Sequence, residues 1–148
     1  MNKQLAIAIF ACVMLANHVY AQKHASLHNA RIPQKKNIKT QYGIASFYAN
    51  KFNGRKTANG EIFSQKKLTA ASNTLSLNMW VKVTNLHNKR TVIVKITDRM
   101  HDRNKRLIDL SKAAAHHLGY TGRGLTRVRV DVLGKHRPAE AESLAENK

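Results

Sequence analysis

Two carboxylates in the middle of the chain are placed where a fold could aim them at a substrate. Glu61 closes a polar loop with two glycines, residues 54–61, and stands directly before an apolar pair. Asp98 follows a strand-like alternation over Arg90–Thr97, so it would point into a groove from the end of that strand. We expect partial burial to raise the pKa of Glu61, so that it holds a proton near neutral pH. If folding brings these two side chains close together, they predict acid/base chemistry.

Each acid also has a purely structural interpretation. Glu61 would be an exposed loop acid, and Asp98 would hold its own turn or pair with Arg99. Asp109 is expected to satisfy backbone donors near the start of a helix. The other acids of the folded part are Asp102 and Asp131. Residue types and spacing alone leave the catalytic and structural roles open.

The sequence predicts neither a metal site nor a cofactor. Cys12 is the one cysteine and lies in the leading apolar segment, so the folded part has no thiolate ligand and no disulfide. His116 and His117 are adjacent on a predicted helix and therefore face different directions. His101 and Asp102 would need further ligands that the sequence does not identify.

Short strands and one helix are predicted to position these residues. Alternation of β-branched and polar residues is typical of half-buried strands. The strand patterns cover Gly43–Ala49, Leu68–Ala71, Trp80–Leu86, Arg90–Thr97 and Leu125–Leu133. Ser111 as N-cap, Lys112–Leu118 as body and Gly119 as C-terminal stop predict the helix. Five or six strands with one helix favour a small closed β-barrel over an open sheet.

The two ends of the chain differ in composition from the middle. Residues 1–21 have a positive start, an apolar run and small residues at a cleavage point, which predicts a signal peptide. Residues 22–40 are polar and basic and predict a disordered linker. The predicted domain covers residues 41–134, and residues 135–148 are expected to be a flexible tail. We therefore expect secretion across the inner membrane to the periplasm or cell envelope.

Cys12 offers a second way of processing the N-terminus. Cleavage after Ala21 is the favoured interpretation, and lipid attachment at Cys12 is the alternative. Phe10 is bulky for a lipoprotein motif, and the apolar run continues beyond the cysteine.

The formal net charge is +18, from 26 basic and 8 acidic residues. Such an excess attracts polyanions in general. A secreted chain meets anionic lipid head groups and acidic wall polymers before it meets nucleic acid, so nucleic acid is not the expected partner. The basic linker is a candidate contact with an anionic envelope surface.

Six blocks in order along the chain resemble the RlpA (rare lipoprotein A) family. The resemblance runs from about residue 43 to residue 133. The blocks are Gly43–Tyr48, Gly54–Glu61, Leu68–Ala71, Val81–Leu86, Thr97–Arg99, and Leu107–Ala114 with Leu118-Gly119.

The resemblance implies a six-stranded double-psi β-barrel, similar to expansins and barwin-like domains. It also implies an endolytic peptidoglycan transglycosylase that cleaves between N-acetylmuramic acid and N-acetylglucosamine and forms 1,6-anhydro ends. The family prefers glycan strands without stem peptides. Its catalytic glutamate falls on Glu61 and its essential aspartate on Asp98. No cofactor is implied, and we expect a monomer whose partner is the glycan strand.

Further residues are expected to contact the substrate. Arg55 and Lys56 would line the groove, and Tyr48 and Trp80 are candidate stacking surfaces or barrel core. The other expected substrate-binding residues are Asn59, Ser72 and Arg99.

The chain departs from the family pattern at three places. Ser72 stands where the family has histidine, and serine cannot carry a positive charge or relay a proton as imidazole does. Asn88-Lys89 replaces an Asn-Gly turn, and Met100-His101 replaces Gly-Pro beside Asp98. The first departure keeps a non-catalytic wall-glycan-binding barrel of expansin-like type as the alternative function. His101 is a candidate substitute in space for the missing histidine.

Overall fold

The structure, a computed structural model, describes residues 39–141. The predicted signal peptide, Cys12 and most of the predicted linker precede this range, and positions 142–148 of the predicted tail follow it. Within the described residues, no helix has the length and apolar character needed to cross a bilayer.

Six strands, one α-helix and one short 3₁₀ helix make up the described fold. The strands are β1 (Thr40–Phe47), β2 (Thr69–Ala71), β3 (Trp80–Asn85), β4 (Thr91–Asp98), β5 (Ile108–Leu110) and β6 (Thr126–Gly134). The helix α1 covers Lys112–Leu118, and the 3₁₀ helix covers Asn50–Phe52.

The six strands close into a barrel in the order β1-β5-β2-β4-β3-β6. The pairs β1–β5 and β2–β4 are parallel, and the other pairs are antiparallel. Only β3 and β4 are neighbours both in sequence and in the sheet. The predicted closed barrel with one short helix is therefore confirmed, and most of its strand pairs are formed by distant parts of the chain.

The barrel interior is filled by one face of each long strand. On β3, Val81 and Val83 are fully buried while the residues between them are partly exposed. Val94 and Ile96 of β4 and Val130 of β6 meet them in the same core. Removing each such side chain from water contributes about 1.5–3 kcal/mol, so the alternation that predicted the strands also supplies the core.

The helix begins and ends where the sequence predicts. The Ser111 hydroxyl accepts a hydrogen bond from the Ala114 N–H at 3.3 Å. Gly119 adopts a left-handed conformation with φ of 69°, and its N–H donates to the His116 carbonyl at 3.0 Å. The side-chain amide of Asn85, on β3, donates to the Leu118 carbonyl at 3.0 Å and so satisfies the end of the helix from the barrel wall.

Most strand boundaries differ from the sequence prediction by one to three residues, and one strand was not predicted. β1 begins at Thr40, within the segment predicted to be linker. β5 is absent from the predicted strands because three residues are too few to show an alternation. This strand is defined by its neighbours, since it lies between β1 and β2 and pairs with both.

Candidate active site

The segment between β1 and β2 folds back on itself and fixes Glu61 beside Thr57. The Thr57 N–H donates to the Glu61 carbonyl at 2.8 Å, and Lys56 forms a bridge with Ile62. Gly60 has φ of 91°, which glycine adopts without steric cost. The two glycines and the polar residues of this loop thus form a compact turn that positions the Glu61 side chain.

The Glu61 carboxylate is paired with a lysine of the barrel wall. The Lys95 ammonium on β4 donates to Oε1 of Glu61 at 2.6 Å, and the Asn59 amide donates to the same oxygen at 3.0 Å. The Glu61 side chain keeps 41% of its surface exposed, so its burial is shallow. The hydrogen bond from Lys95 outweighs desolvation and lowers the pKa of Glu61. The expectation of a raised pKa is therefore wrong for the free protein.

Asn59 holds the loop rather than standing free in a groove. Its Oδ1 accepts from the Thr57 hydroxyl at 2.7 Å and from the Glu61 N–H at 3.1 Å. Its Nδ2 also donates to Asn78 Oδ1 at 2.9 Å. Since both ends of the amide are engaged, Asn59 positions Glu61, and its expected contact with substrate stays a prediction.

A β-bulge sets the direction of Asp98. Ala70 pairs with Ile96, but Ala71 pairs with Asp98, so Thr97 is an extra residue in β4. Paired residues of neighbouring strands share a face of the sheet. Without the bulge, Asp98 would share the inward face of β4 with Ile96. The bulge instead places Asp98 on the outward face of the strand, together with Lys95 and close to Glu61.

The Asp98 carboxylate accepts three hydrogen bonds. The backbone N–H groups of Ala58 and Arg99 donate to Oδ1 at 2.9 Å and 2.8 Å, and the Tyr48 hydroxyl donates to Oδ2 at 2.8 Å. In addition, the Asn59 N–H donates to the Thr97 carbonyl at 3.0 Å. The loop that carries Glu61 is thus bound directly to the end of β4, and the fold brings the two predicted acids to one junction.

Tyr48 supports Asp98 and does not offer a stacking surface. Its side chain is buried, with its ring 4.4 Å from the ring of Phe63 and 5.7 Å from that of Phe52. Burial first, and then the hydrogen bond to Asp98, raise the pKa of the Tyr48 hydroxyl, so it remains a donor. The buried ring agrees with the barrel-core alternative for Tyr48, and a contact of this residue with substrate stays a prediction.

Ser72 is fully buried and does not face a substrate groove. Its hydroxyl donates to the Leu107 carbonyl at 2.8 Å and accepts from the Thr74 N–H at 3.3 Å. A side chain with no exposed surface cannot contact a sugar in this conformation, so the expected substrate contact is corrected to a structural role. Arg99 binds the same segment, because its Nη1 donates to the carbonyls of Ser72 at 2.6 Å and Leu75 at 2.9 Å.

Arg55 and Lys56 are exposed on the loop that carries Glu61. The Arg55 guanidinium lies 5.4 Å from the centre of the Phe52 ring. His101 is exposed, and its Nδ1 accepts from the Arg103 N–H at 3.2 Å. Substrate contacts of Arg55, Lys56 and Arg99 stay predictions, as does the replacement of the family histidine by His101.

Asp109 lies in the sheet two strands away from Asp98. Ala71 pairs with Asp98 on one side and with Asp109 on the other, so all three side chains share a face. The Ser46 hydroxyl donates to Asp109 at 2.7 Å, and burial raises the pKa of this carboxyl. The expectation that Asp109 binds backbone donors at the helix start is wrong, since its hydrogen bond comes from a neighbouring strand.

A cavity of about 420 Å³ opens beside Glu61 and Lys95. The half-buried Trp80 lines it, so the ring expected to stack on substrate or fill the core does face a cavity. Sequence reasoning missed Lys95, although the alternation on β4 already placed that residue on the outward face. Within residues 39–141, no three His, Cys, Asp or Glu side chains are grouped closely enough to hold a metal ion.

Comparisons with known proteins agree with this architecture. A family described as "Lytic transglycolase" matches residues 40–130. The "Endolytic peptidoglycan transglycosylase RlpA" of Haemophilus influenzae is 53% identical over 91 residues, which cover 62% of this chain and 32% of that protein. The protein of the same name from Pasteurella multocida is 42% identical over 137 residues, which cover 93% of this chain and 46% of that protein.

Among solved structures, an expansin variant of Clavibacter michiganensis in complex with cellohexaose has the same fold. The TM-score is 0.53 at 18% identity, over 68% of this chain and 53% of that one. The chain spans about a third to a half of the length of the two curated relatives. The match begins at the start of β1 and ends within β6, so it includes both acids and the loop that carries Glu61. The chain therefore belongs to the RlpA-like lytic transglycosylase family of double-psi β-barrel proteins.

Proposed function

We propose that this protein is an endolytic peptidoglycan lytic transglycosylase of the cell envelope, with Glu61 as acid and base and Asp98 as the stabilising carboxylate. The observation that carries the proposal is the junction of the Glu61 loop with the end of β4. There, one short loop hydrogen-bonds to Asp98 and presents Glu61 on the same face of the barrel. The chain's membership of the family and the names of its curated relatives support peptidoglycan as the substrate class.

The proposed reaction needs one proton and no water. Protonated Glu61 donates to the glycosidic oxygen between N-acetylmuramic acid and N-acetylglucosamine, and the bond from C1 to that oxygen breaks. Asp98, held by two backbone N–H groups and Tyr48, stabilises the oxocarbenium-like charge on the sugar. The 6-hydroxyl of the same sugar then attacks C1 and gives its proton to Glu61, which closes the 1,6-anhydro ring.

The pairing of Glu61 with Lys95 sets the pH range of the acid step. A glutamate with its ordinary pKa is already ionised near neutral pH, and the hydrogen bond from Lys95 lowers the pKa of Glu61 further, so the protonated form is a small minority in the free protein. The acid step draws on the protonated minority, so the proposed activity increases toward acidic pH.

The test is product analysis with the purified protein and peptide-free glycan strands. The wild-type chain is expected to release fragments with 1,6-anhydro-N-acetylmuramic acid ends, detected by mass spectrometry. Glu61→Gln keeps the side-chain shape and removes the transferable proton, so products should fall by at least two orders of magnitude while pelleting with sacculi persists. Undiminished products from Glu61→Gln would refute the assignment.

A non-catalytic glycan-binding barrel is the second candidate function. It is favoured by one observation, the burial of Ser72 at the position where the family has histidine. Pelleting of the wild-type chain with sacculi, without any anhydro product over the whole pH range, would establish this alternative.

A further inference from the structure

Two exposed apolar side chains lie on one outer face of the barrel. Tyr42 in β1 is 67% exposed, and Leu125, which directly precedes β6, is 51% exposed. The two strands are antiparallel neighbours, with Tyr42 opposite Arg129 and Ile44 opposite Arg127. Since successive side chains of a strand alternate between its two faces, these residues point away from the buried core. We call this set of five residues the outer β1–β6 face.

The loop between β4 and β5 adds positive charge beside this face. Ile44 and Leu125 line a hollow of about 690 Å³ together with five residues of the loop 101–106. The charged residues of the loop are all exposed, and they are the cations Arg103, Lys105 and Arg106 and the carboxylate Asp102. Apolar side chains and cations therefore meet in one open hollow.

Three cations on or beside the outer β1–β6 face form no ion pair with a carboxylate of residues 39–141. They are Arg103, Lys105 and Arg127. Arg129 differs, because it donates to Asp131 at 3.0 Å. Arg106 differs as well, because its positive charge opposes the rise in the pKa of the partly buried Asp109. The three unpaired cations are thus available to an anionic partner.

The combination of side chains favours a lipid surface over other polyanions. A tyrosine ring prefers the boundary between water and acyl chains, because the ring is apolar and the hydroxyl is polar. Each Lys or Arg close to an anionic bilayer strengthens binding about fivefold. A polysaccharide or a nucleic acid would contact the cations but leave the side chains of Ile44 and Leu125 in water. A bilayer satisfies both kinds of side chain.

The outer β1–β6 face lies across the barrel from the candidate active site. In the closed order of strands, β1 is three strands away from β4 in either direction, and β6 is three strands away from β2. Lys95 and Asp98 belong to β4, and the cavity beside Glu61 includes Thr69 of β2. A protein bound to lipid by the outer face therefore leaves Glu61 accessible from the opposite side.

We propose that the outer β1–β6 face docks the barrel onto anionic lipid head groups. Tyr42 and Leu125 enter the boundary region of the bilayer, and the three unpaired cations bind lipid phosphates. The cations recognise the acidic lipid, and the exposed apolar side chains distinguish a bilayer from a soluble polyanion. This surface is separate from the carboxylates of the proposed reaction, so the proposal does not depend on the transglycosylase function.

Fluorescence of the full chain with vesicles tests which face meets the bilayer. Leu125→Trp places an indole in the proposed contact, and phosphatidylglycerol with brominated acyl chains quenches an indole that enters the bilayer boundary. Ile62→Trp is the matched control, since Ile62 is 57% exposed and directly follows Glu61. Trp80 is the one native tryptophan and gives the same background in both variants. We expect strong quenching in Leu125→Trp alone, and equal quenching of both variants, or none in either, would overturn the proposal.

Lys105→Gln and Lys112→Gln are a matched pair for charge, because each removes one exposed lysine. Lys112 begins α1 and precedes Ala113 of the cavity beside Glu61. At about 0.1 M salt, Lys105→Gln is expected to weaken sedimentation with phosphatidylglycerol vesicles about fivefold, whereas Lys112→Gln should leave it unchanged. Residues 1–39 are the same in every variant, so a difference reports on the barrel. An equal loss in both variants would contradict a defined docking face.

A double variant, Tyr42→Ser with Leu125→Ser, separates lipid from wall polymer as the partner. Both side chains are exposed, so thermal stability is expected to be unchanged. Loss of vesicle binding with retained pelleting on sacculi would support lipid docking. If the double variant binds vesicles as the wild type does but no longer pellets with sacculi, the face binds wall polymer and the proposal is wrong.

Discussion

At the scale of single residues, the protonation of Glu61 depends most strongly on Lys95. Lys95 lies on the outward face of β4 and reaches the carboxylate that the loop delivers. An acid in a proton-transfer site is most effective when its pKa lies near the working pH. In this protein the hydrogen bond to Lys95 lowers that pKa, whereas burial raises the pKa of the Tyr48 hydroxyl, which donates to Asp98. The two groups are thus kept in opposite protonation states.

Replacing Lys95 tests this dependence. In the mechanism above, the protonated form of Glu61 is reactive, so kcat/KM falls as pH rises above the pKa of Glu61 in the free protein. Lys95→Met removes the largest cause that lowers this pKa. The alkaline limb of the kcat/KM profile, measured with peptide-free strands, is therefore expected to move to higher pH.

Lys105→Met is the control for the Lys95 variant, since Lys105 is an exposed residue in the connection between β4 and β5. Its pH profile should coincide with that of the wild type. An alkaline limb that stays in place in Lys95→Met would show that Lys95 does not govern the protonation of Glu61.

At the scale of elements, the barrel wall and the helix support each other. The C-terminal carbonyl of α1, that of Leu118, accepts hydrogen bonds from Asn85 at 3.0 Å and from Asn88 at 2.8 Å. Gly119 then reverses the chain in the left-handed region. The same helix contributes Ala113 and His117 to the wall of the cavity beside Glu61.

Gly119→Ala is expected to destabilise the fold. A side chain in the left-handed region costs about 1–2 kcal/mol, and a Cβ at this position would lie 2.8 Å from Nη1 of Arg90 and 3.1 Å from Nδ2 of Asn88. The free energy of unfolding, measured with urea, should fall by about that amount. Gly122→Ala is the matched control, because its Cβ would enter open space, and a change within about 0.5 kcal/mol is expected. Equal stability of the two variants would argue against the strained cap.

At the scale of the whole molecule, the net charge is expected to govern the first contact with the proposed glycan substrate. The formal net charge of +18 on 148 residues attracts anions over longer distances than the direct contacts of a binding site do. Salt screens such long-range attraction, and the screening length falls from about 10 Å at 0.1 M to about 3 Å at 1 M.

Retention of the full chain on peptide-free glycan strands is therefore expected to fall when salt is raised from about 0.05 M to about 0.5 M. Pelleting at each salt concentration measures it. Retention on a neutral polymer of N-acetylglucosamine should be weaker and change little with salt. Salt-independent pelleting on the acidic strands would show that the excess charge does not contribute to binding.

The sequence by itself determined the elements whose signals are local. Alternating β-branched residues predicted most of the strands, because one strand face must be apolar to fill a barrel. Ser111 and Gly119 predicted the ends of α1, because capping needs only neighbouring backbone groups. The motifs around Glu61 and Asp98 identified the candidate acids. None of these signals requires knowledge of distant contacts.

Only the tertiary structure decided how the acids are held. The bulge that turns Asp98 outward arises from the register between β2 and β4, which no single strand pattern contains. The pairing of Glu61 with Lys95 and the burial of Ser72 depend on residues 34 and 35 positions away. The cavity beside Glu61 likewise combines residues of several elements. Protonation and burial are set by such long-range neighbours, and for this reason the sequence identified the acids but not their state.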